Sequence, residues 1–192
     1  CRFSARTSTA ISLDRPQLSA VRGAWRHGDG AWDYNLAFGT YALGRKELPD
    51  DAAAYVNLPI DEPAASEVIA ERPLFSQLIR VDEYRERYHG YLDELLVSYV
   101  DSGRLAQTIA QARELIAPYV TKDPTAFVSY DEFLAGIEAI EQFCMLRADS
   151  IRGQLAGTIP TTLDGQTERP ESLVDASELD LTDLGELSDL DQ

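Results

Sequence analysis

The chain has 192 residues, 44% of them hydrophobic and 26% charged, enough for one globular domain with a real core. Its 33 acids against 17 bases give a net charge of −16, which argues against nucleic acid as a partner, because a phosphate backbone is repelled by such a surface. Two cysteines and two histidines are too few for a disulfide framework or a structural zinc site.

In chain order, residues 1–28 carry five arginines against Asp14 alone and show no sustained period of either kind. They are expected to be irregular, and they lack the apolar stretch of a signal peptide. The aromatic run Ala31-Trp32-Asp33-Tyr34-Asn35-Leu36-Ala37-Phe38-Gly39 predicts a buried strand breaking into a turn, with one or two short strands near 31–44. Residues 47–72, with Pro49, Pro59 and Pro63 among several acids, read as a long surface connection.

From Pro73 onward the pattern is helical. Pro73 suits a first helical turn, and Leu74, Phe75, Leu78 and Ile79 form one stripe. Asp82 is expected to cap a second helix carrying Tyr84, Tyr88, Tyr91, Leu92, Leu95, Leu96, Tyr99 and Val100 at three- and four-residue steps. Asp101-Ser102-Gly103 punctuates it, with Ser102 placed to cap a third helix. That helix bears Leu105, Ile109, Ala112, Leu115 and Ile116 and is expected to end near Pro118 or Pro124. Ser129-Tyr130-Asp131-Glu132 has capping-box spacing ahead of a fourth helix with Phe133, Ile137, Ile140, Phe143, Cys144, Leu146 and Ile151. The four are expected to pack into one helical subdomain. No apolar run is long enough to cross a bilayer.

The end of the chain is acidic: residues 155–192 hold ten acids and one base, Arg169. Leucines scattered among aspartates bury too little apolar area to offset ordering entropy, so residues 159–192 are expected to be a disordered tail. His89 reads as a helix-surface residue.

Asp33 and Asn35 carry the only pattern that suggests chemistry. On an extended backbone both project to the same side, and a carboxylate with an amide oxygen at that spacing can hold a hard cation such as Mg²⁺. On spacing alone a solvated strand end is the simpler account of the same two residues.

Residues 32–39 resemble the W-D-[Y/L]-[D/N]-L-A-F-G motif of the CotH kinase family, the spore coat protein H-like atypical protein kinases. Further pieces resemble that family in the same order. They are Leu58-Pro59-Ile60-Asp61-Glu62-Pro63, Arg72-Pro73-Leu74, Val81-Asp82-Glu83-Tyr84-Arg85-Glu86-Arg87-Tyr88, Asp131-Glu132-Phe133 and Arg147-Ala148-Asp149-Ser150-Ile151-Arg152-Gly153-Gln154-Leu155. The resemblance implies an α+β, mainly α, kinase-like C-terminal lobe over residues 29–158, after a non-matching head at 1–28. It also implies transfer of phosphate from ATP to Ser or Thr of secreted or spore-coat proteins, with Asp33 holding Mg²⁺ and Asn35 as a second ligand to the metal and cofactor.

The departures concern the phosphate grip. Asp14 is the only acid in the head, and its Leu-Asp-Arg-Pro setting is not the family pattern; Lys46 and Lys122 are the only lysines, and neither lies in a strand-like V-A-x-K setting. The chain is therefore expected to be an incomplete kinase, inactive alone. The alternative is a non-catalytic helical interaction module.

Overall fold

Residues 51–63, 73–126 and 128–184 are described by the computed structural model. The head, the strands expected near 31–44 and both Asp33 and Asn35 lie outside them. Among the described residues every regular element is helical, as the mainly α reading requires.

Helix α1 (Ala52–Val56) begins where the Asp51 carboxylate accepts the Ala53 N–H at 2.8 Å. It falls inside the stretch read as surface connection, and that reading fails here: Tyr55 and Val56 are buried, as is Ile60 just beyond. Prolines fix local φ but do not oblige exposure, and the apolar residues between them are drawn inward by tertiary contacts.

Helix α2 (Pro73–Leu78) starts at its proline as expected. Phe75 meets Tyr88 edge-on, with ring centres 6.4 Å apart. Helix α3 (Asp82–Leu95) is preceded by Val81 in extended conformation, so Asp82 is not the cap. Its carboxylate binds Arg85 one turn on, at 2.6 Å. The helix continues through a π-helical turn, Leu96–Asp101, where Leu96 is buried. Helix α4 (Arg104–Val120) follows Gly103, whose φ of +74° is open chiefly to glycine. Gly103 occupies the cap position, while Ser102 accepts the Arg104 N–H and donates back to the Ser98 carbonyl. Pro118 sits inside the last turn and does not end the helix at once.

Helix α5 (Tyr130–Leu155) is the longest element, roughly 39 Å at 1.5 Å per residue. Its capping box is complete: Ser129 Oγ accepts from Glu132 N at 3.2 Å, and Glu132 Oε2 accepts from Ser129 N at 2.6 Å. The helix closes on Gly157 at φ +74°, with the N–H groups of Thr158 and Ile159 both donating to the Gly153 carbonyl.

Helices α3, α4 and α5 pack on one another as expected, but the buried core cluster lies elsewhere: it joins Ala52, Tyr55 and Val56 of α1 to Ala139 and Phe143 of α5 and to Ala176, Leu179 and Leu181. The tail is also not disordered over 159–184. It forms α6 (Leu163–Glu168), two short 3₁₀ turns at Pro170–Ser172 and Leu181–Leu184, and buries Ile159, Ala176, Leu179 and Leu181. Composition misleads here because a few apolar residues suffice when α1 and α5 offer a surface to cover them; at Gly136 a Cβ would stand 3.0 Å from the Asp183 carbonyl oxygen. Residues 185–192 lie outside the described part. Cys144 packs against the core, and burial pushes its thiol up to about 11. No helix of the described residues is long and apolar enough to cross a membrane.

Candidate functional site

The residues after α1 run without a sheet partner, so their backbone N–H and C=O groups must be satisfied some other way. Side chains from three helices do it. Arg147 of α5 donates from Nη1 to the carbonyls of Val56 at 3.0 Å and Leu58 at 2.6 Å. Gln154 of α5 accepts the Ile60 N–H through Oε1 at 2.8 Å, and its Nε2 donates to Leu58 O and to Ser150 Oγ. Tyr88 of α3 donates its hydroxyl to Ile60 O at 3.1 Å. Gln166 of α6 donates to Asn57 O at 2.7 Å and to Pro160 O at 3.0 Å.

The next two residues are held by their carboxylates. Asp61 Oδ1 lies 2.7 Å from His89 Nε2, and its N–H donates to Thr161 O. Glu62 Oε2 accepts from Leu163 N at the start of α6 at 2.8 Å. His89 is therefore half-buried and partnered, not the free helix-surface residue its sequence context suggests.

Burial sets the electrostatics of this clamp. It lowers the Arg147 guanidinium to about 10, so the group stays charged at neutral pH, with Tyr88 opposing the shift. The Tyr88 phenol is raised mainly by burial, Arg147 pulling the other way and Asp61 adding to the rise. Tyr88 thus remains a neutral donor. Among the described residues Arg147 forms no ion pair with a carboxylate, and no group of three His, Cys, Asp or Glu side chains is placed to hold a metal.

The arrangement fixes a backbone segment to within hydrogen-bond tolerance; it does not by itself assemble a nucleophile and a base. What it brings together are three of the quoted sequence pieces, at 58–63, 81–88 and 147–155. The piece at 131–133 serves instead as the first turn of α5. Arg147, Ser150 and Gln154, at i, i+3 and i+7, face the segment as one polar stripe. On α5's exposed side Arg152 binds both Asp149 and Asp101. From sequence alone Arg147, Ser150 and Gln154 had no such role; their i, i+3, i+7 spacing places them on one face but does not say that the face turns inward, and nothing in the sequence pairs His89 with Asp61.

The family model for CotH kinase protein matches residues 19–151, more than half of the chain. The match takes in residues 19–28 of the head and ends within α5. No curated protein and no solved structure is similar enough to this chain to count as a match.

Proposed function

This chain belongs to the CotH kinase family, and on that premise we propose that it is the C-terminal part of an ATP- and Mg²⁺-dependent kinase domain acting on Ser or Thr of secreted or spore-coat proteins. The observation that supports this best is convergence: sequence pieces up to 96 positions apart meet on one clamped segment, within residues that match the family. Asp33 and Asn35 offer hard oxygen donors of the kind Mg²⁺ takes. Bound there, the ion would supply charge neutralisation at the nucleotide phosphates. Neither Lys46 nor Lys122 has a setting suited to gripping those phosphates, and the Leu-Asp-Arg-Pro setting of Asp14 is not that of the family's catalytic acid, so the chain alone holds Mg·ATP only weakly, through the metal, and does not transfer phosphate.

The test is thermal unfolding with and without Mg·ATP, since a ligand that binds only the folded state raises the midpoint. The native chain shifts upward and Asp33→Ala does not; labelled γ-phosphate is not passed to a Ser/Thr acceptor peptide. No shift in either protein overturns the nucleotide reading. It leaves the second reading, a non-catalytic interaction module, favoured by the exposed Leu115 and Tyr119 of α4, 70% and 71% accessible.

A further inference from the structure

Residues 174–184 lie on α1 and α5 in a two-sided pattern. Val174, Ala176, Leu179, Leu181 and Leu184 all belong to or pack against the core cluster that holds Val56 of α1 and Phe143 of α5. The six residues between them are exposed, and four of the six are acidic. Residues 174–180 form neither helix nor strand, so the alternation is imposed by the surface beneath them.

That surface also reads the main chain. The Asn57 carboxamide pairs with both the N–H and the carbonyl of Val174, and Asn57 is itself fixed, buried with its own carbonyl held by Gln166. Main-chain hydrogen bonds beside seats for alternate side chains are how proteins hold extended peptides. The root of the segment is anchored separately: Arg169 donates to Thr158 O, Gln166 to Pro160 O, and Glu62 accepts from Leu163 N. Beyond that root, no ion pair among the described residues fastens 170–184, which carries five acids and no base. The α1 and α5 residues of the seat fall within the family match at 19–151, and the segment seated there falls beyond it.

We propose that the α1/α5 surface is a peptide-binding site, and that residues 174–184 are its tethered occupant, detaching while 158–169 stay folded. The partner that fits it in trans is an acidic segment whose apolar side chains recur at alternating steps of two and three. This is independent of the kinase reading. The probe is a fluorescein-labelled peptide with the sequence of residues 172–184. The receptor is the full chain carrying Leu179→Ser/Leu181→Ser, which frees the site without altering α1 or α5. In fluorescence anisotropy the variant binds the peptide about tenfold or more tightly than the native chain, whose own segment competes. A peptide N-methylated at Val174 binds more weakly, having lost the N–H that Asn57 accepts, and saturating native peptide raises the variant's melting midpoint. Equal binding by native and variant chains overturns the proposal. So does equal binding of a peptide bearing the same two serines, or no binding by a variant that keeps its helical circular dichroism. Should the variant lose that signal, amide exchange on the native chain decides. Val174 and Leu179 amides that exchange ahead of 139–148 show the segment opening by itself, and exchange of both regions in one step overturns the proposal.

Discussion

Asn57 and Val174, 117 positions apart, exchange hydrogen bonds in both directions: Asn57 Nδ2 donates to the Val174 carbonyl, and the Val174 N–H donates to Asn57 Oδ1, each at 2.9 Å. A side-chain amide thereby pairs with a peptide group as two strands would. Asn57 Nδ2 also donates to Ala53 O at 3.0 Å, and the residue is only 1% exposed. One buried amide thus caps α1 and fastens the acidic tail to it.

Asn57→Asp is nearly isosteric but exchanges a double donor for an acceptor that faces the carbonyls of Ala53 and Val174. A buried carboxylate against two carbonyl oxygens is expected to cost about 3 kcal/mol or more. The urea midpoint falls, and amide exchange over 174–184 accelerates before that of α5. Uniform acceleration across both regions would show that the amide does not single out the tail.

How far the sequence could be read follows from where each signal resides. Helices α2 to α5 were legible because period and caps are local: Pro73 and the Ser129/Glu132 box act within one turn. The core was not, because the apolar stripes of α3 and α4 left open which neighbour would cover them. α5 turned its Phe143 face to α1 and the tail instead. Tail order depended on contacts with Ala139 and Phe143 of α5 and with α1, far upstream, which composition does not encode. Of the clamp, the spacing set residues 147, 150 and 154 on one face and left open which way it turns. The backbone it holds could be found only in three dimensions, since Arg147 recognises carbonyls that every residue possesses. Asp33 and Asn35 remain the proposed metal ligands, outside the described residues.

Arg147→Met keeps the aliphatic stem and removes the cation, leaving the Val56 carbonyl without its Nη1 donor and Leu58 O with only the longer Gln154 bond. Hydrogen bonds from a charged donor contribute about 1.5–3 kcal/mol each, and relief of the buried guanidinium's desolvation offsets part of the two that are lost, so a net loss of roughly 2–4 kcal/mol is expected in denaturant unfolding. Arg147→Lys recovers part of this, because an ammonium on a similar stem can reach one carbonyl but lacks the planar fork. A lysine variant as stable as the native chain would show that charge alone matters.

Gly153→Ala sets two effects against each other. Alanine favours a helix interior over glycine by about 1 kcal/mol, but a Cβ here would stand 2.6 and 2.8 Å from the side chain of buried Ile159. Overpacking of that kind costs about 1–3 kcal/mol, so the clash wins and the variant unfolds at a lower temperature. Adding Ile159→Ala removes the clashing atoms. The Gly153→Ala change then becomes neutral or stabilising in that background, a sign reversal that a double-mutant cycle reads directly.

The capping box of α5 makes one part of the stability depend on acid. Glu132 is held below the usual carboxylate range, first by the Ser129 backbone N–H and then by its hydroxyl. A carboxylate whose folded value is lowered binds its proton more weakly in the native state, so its contribution is complete above the ordinary glutamate range and disappears as pH falls through the lowered folded value. Glu132→Gln keeps an oxygen for the Ser129 N–H but has no charge to titrate. The melting temperature of the native chain therefore exceeds that of Glu132→Gln at neutral pH, and the gap closes on acidification. Asp123, Asp175 and Asp180, lowered by their own Thr or Ser partners, acid-destabilise both proteins alike and cancel in the difference. A gap that persists unchanged to low pH would locate the effect in amide packing and not in the ionised cap.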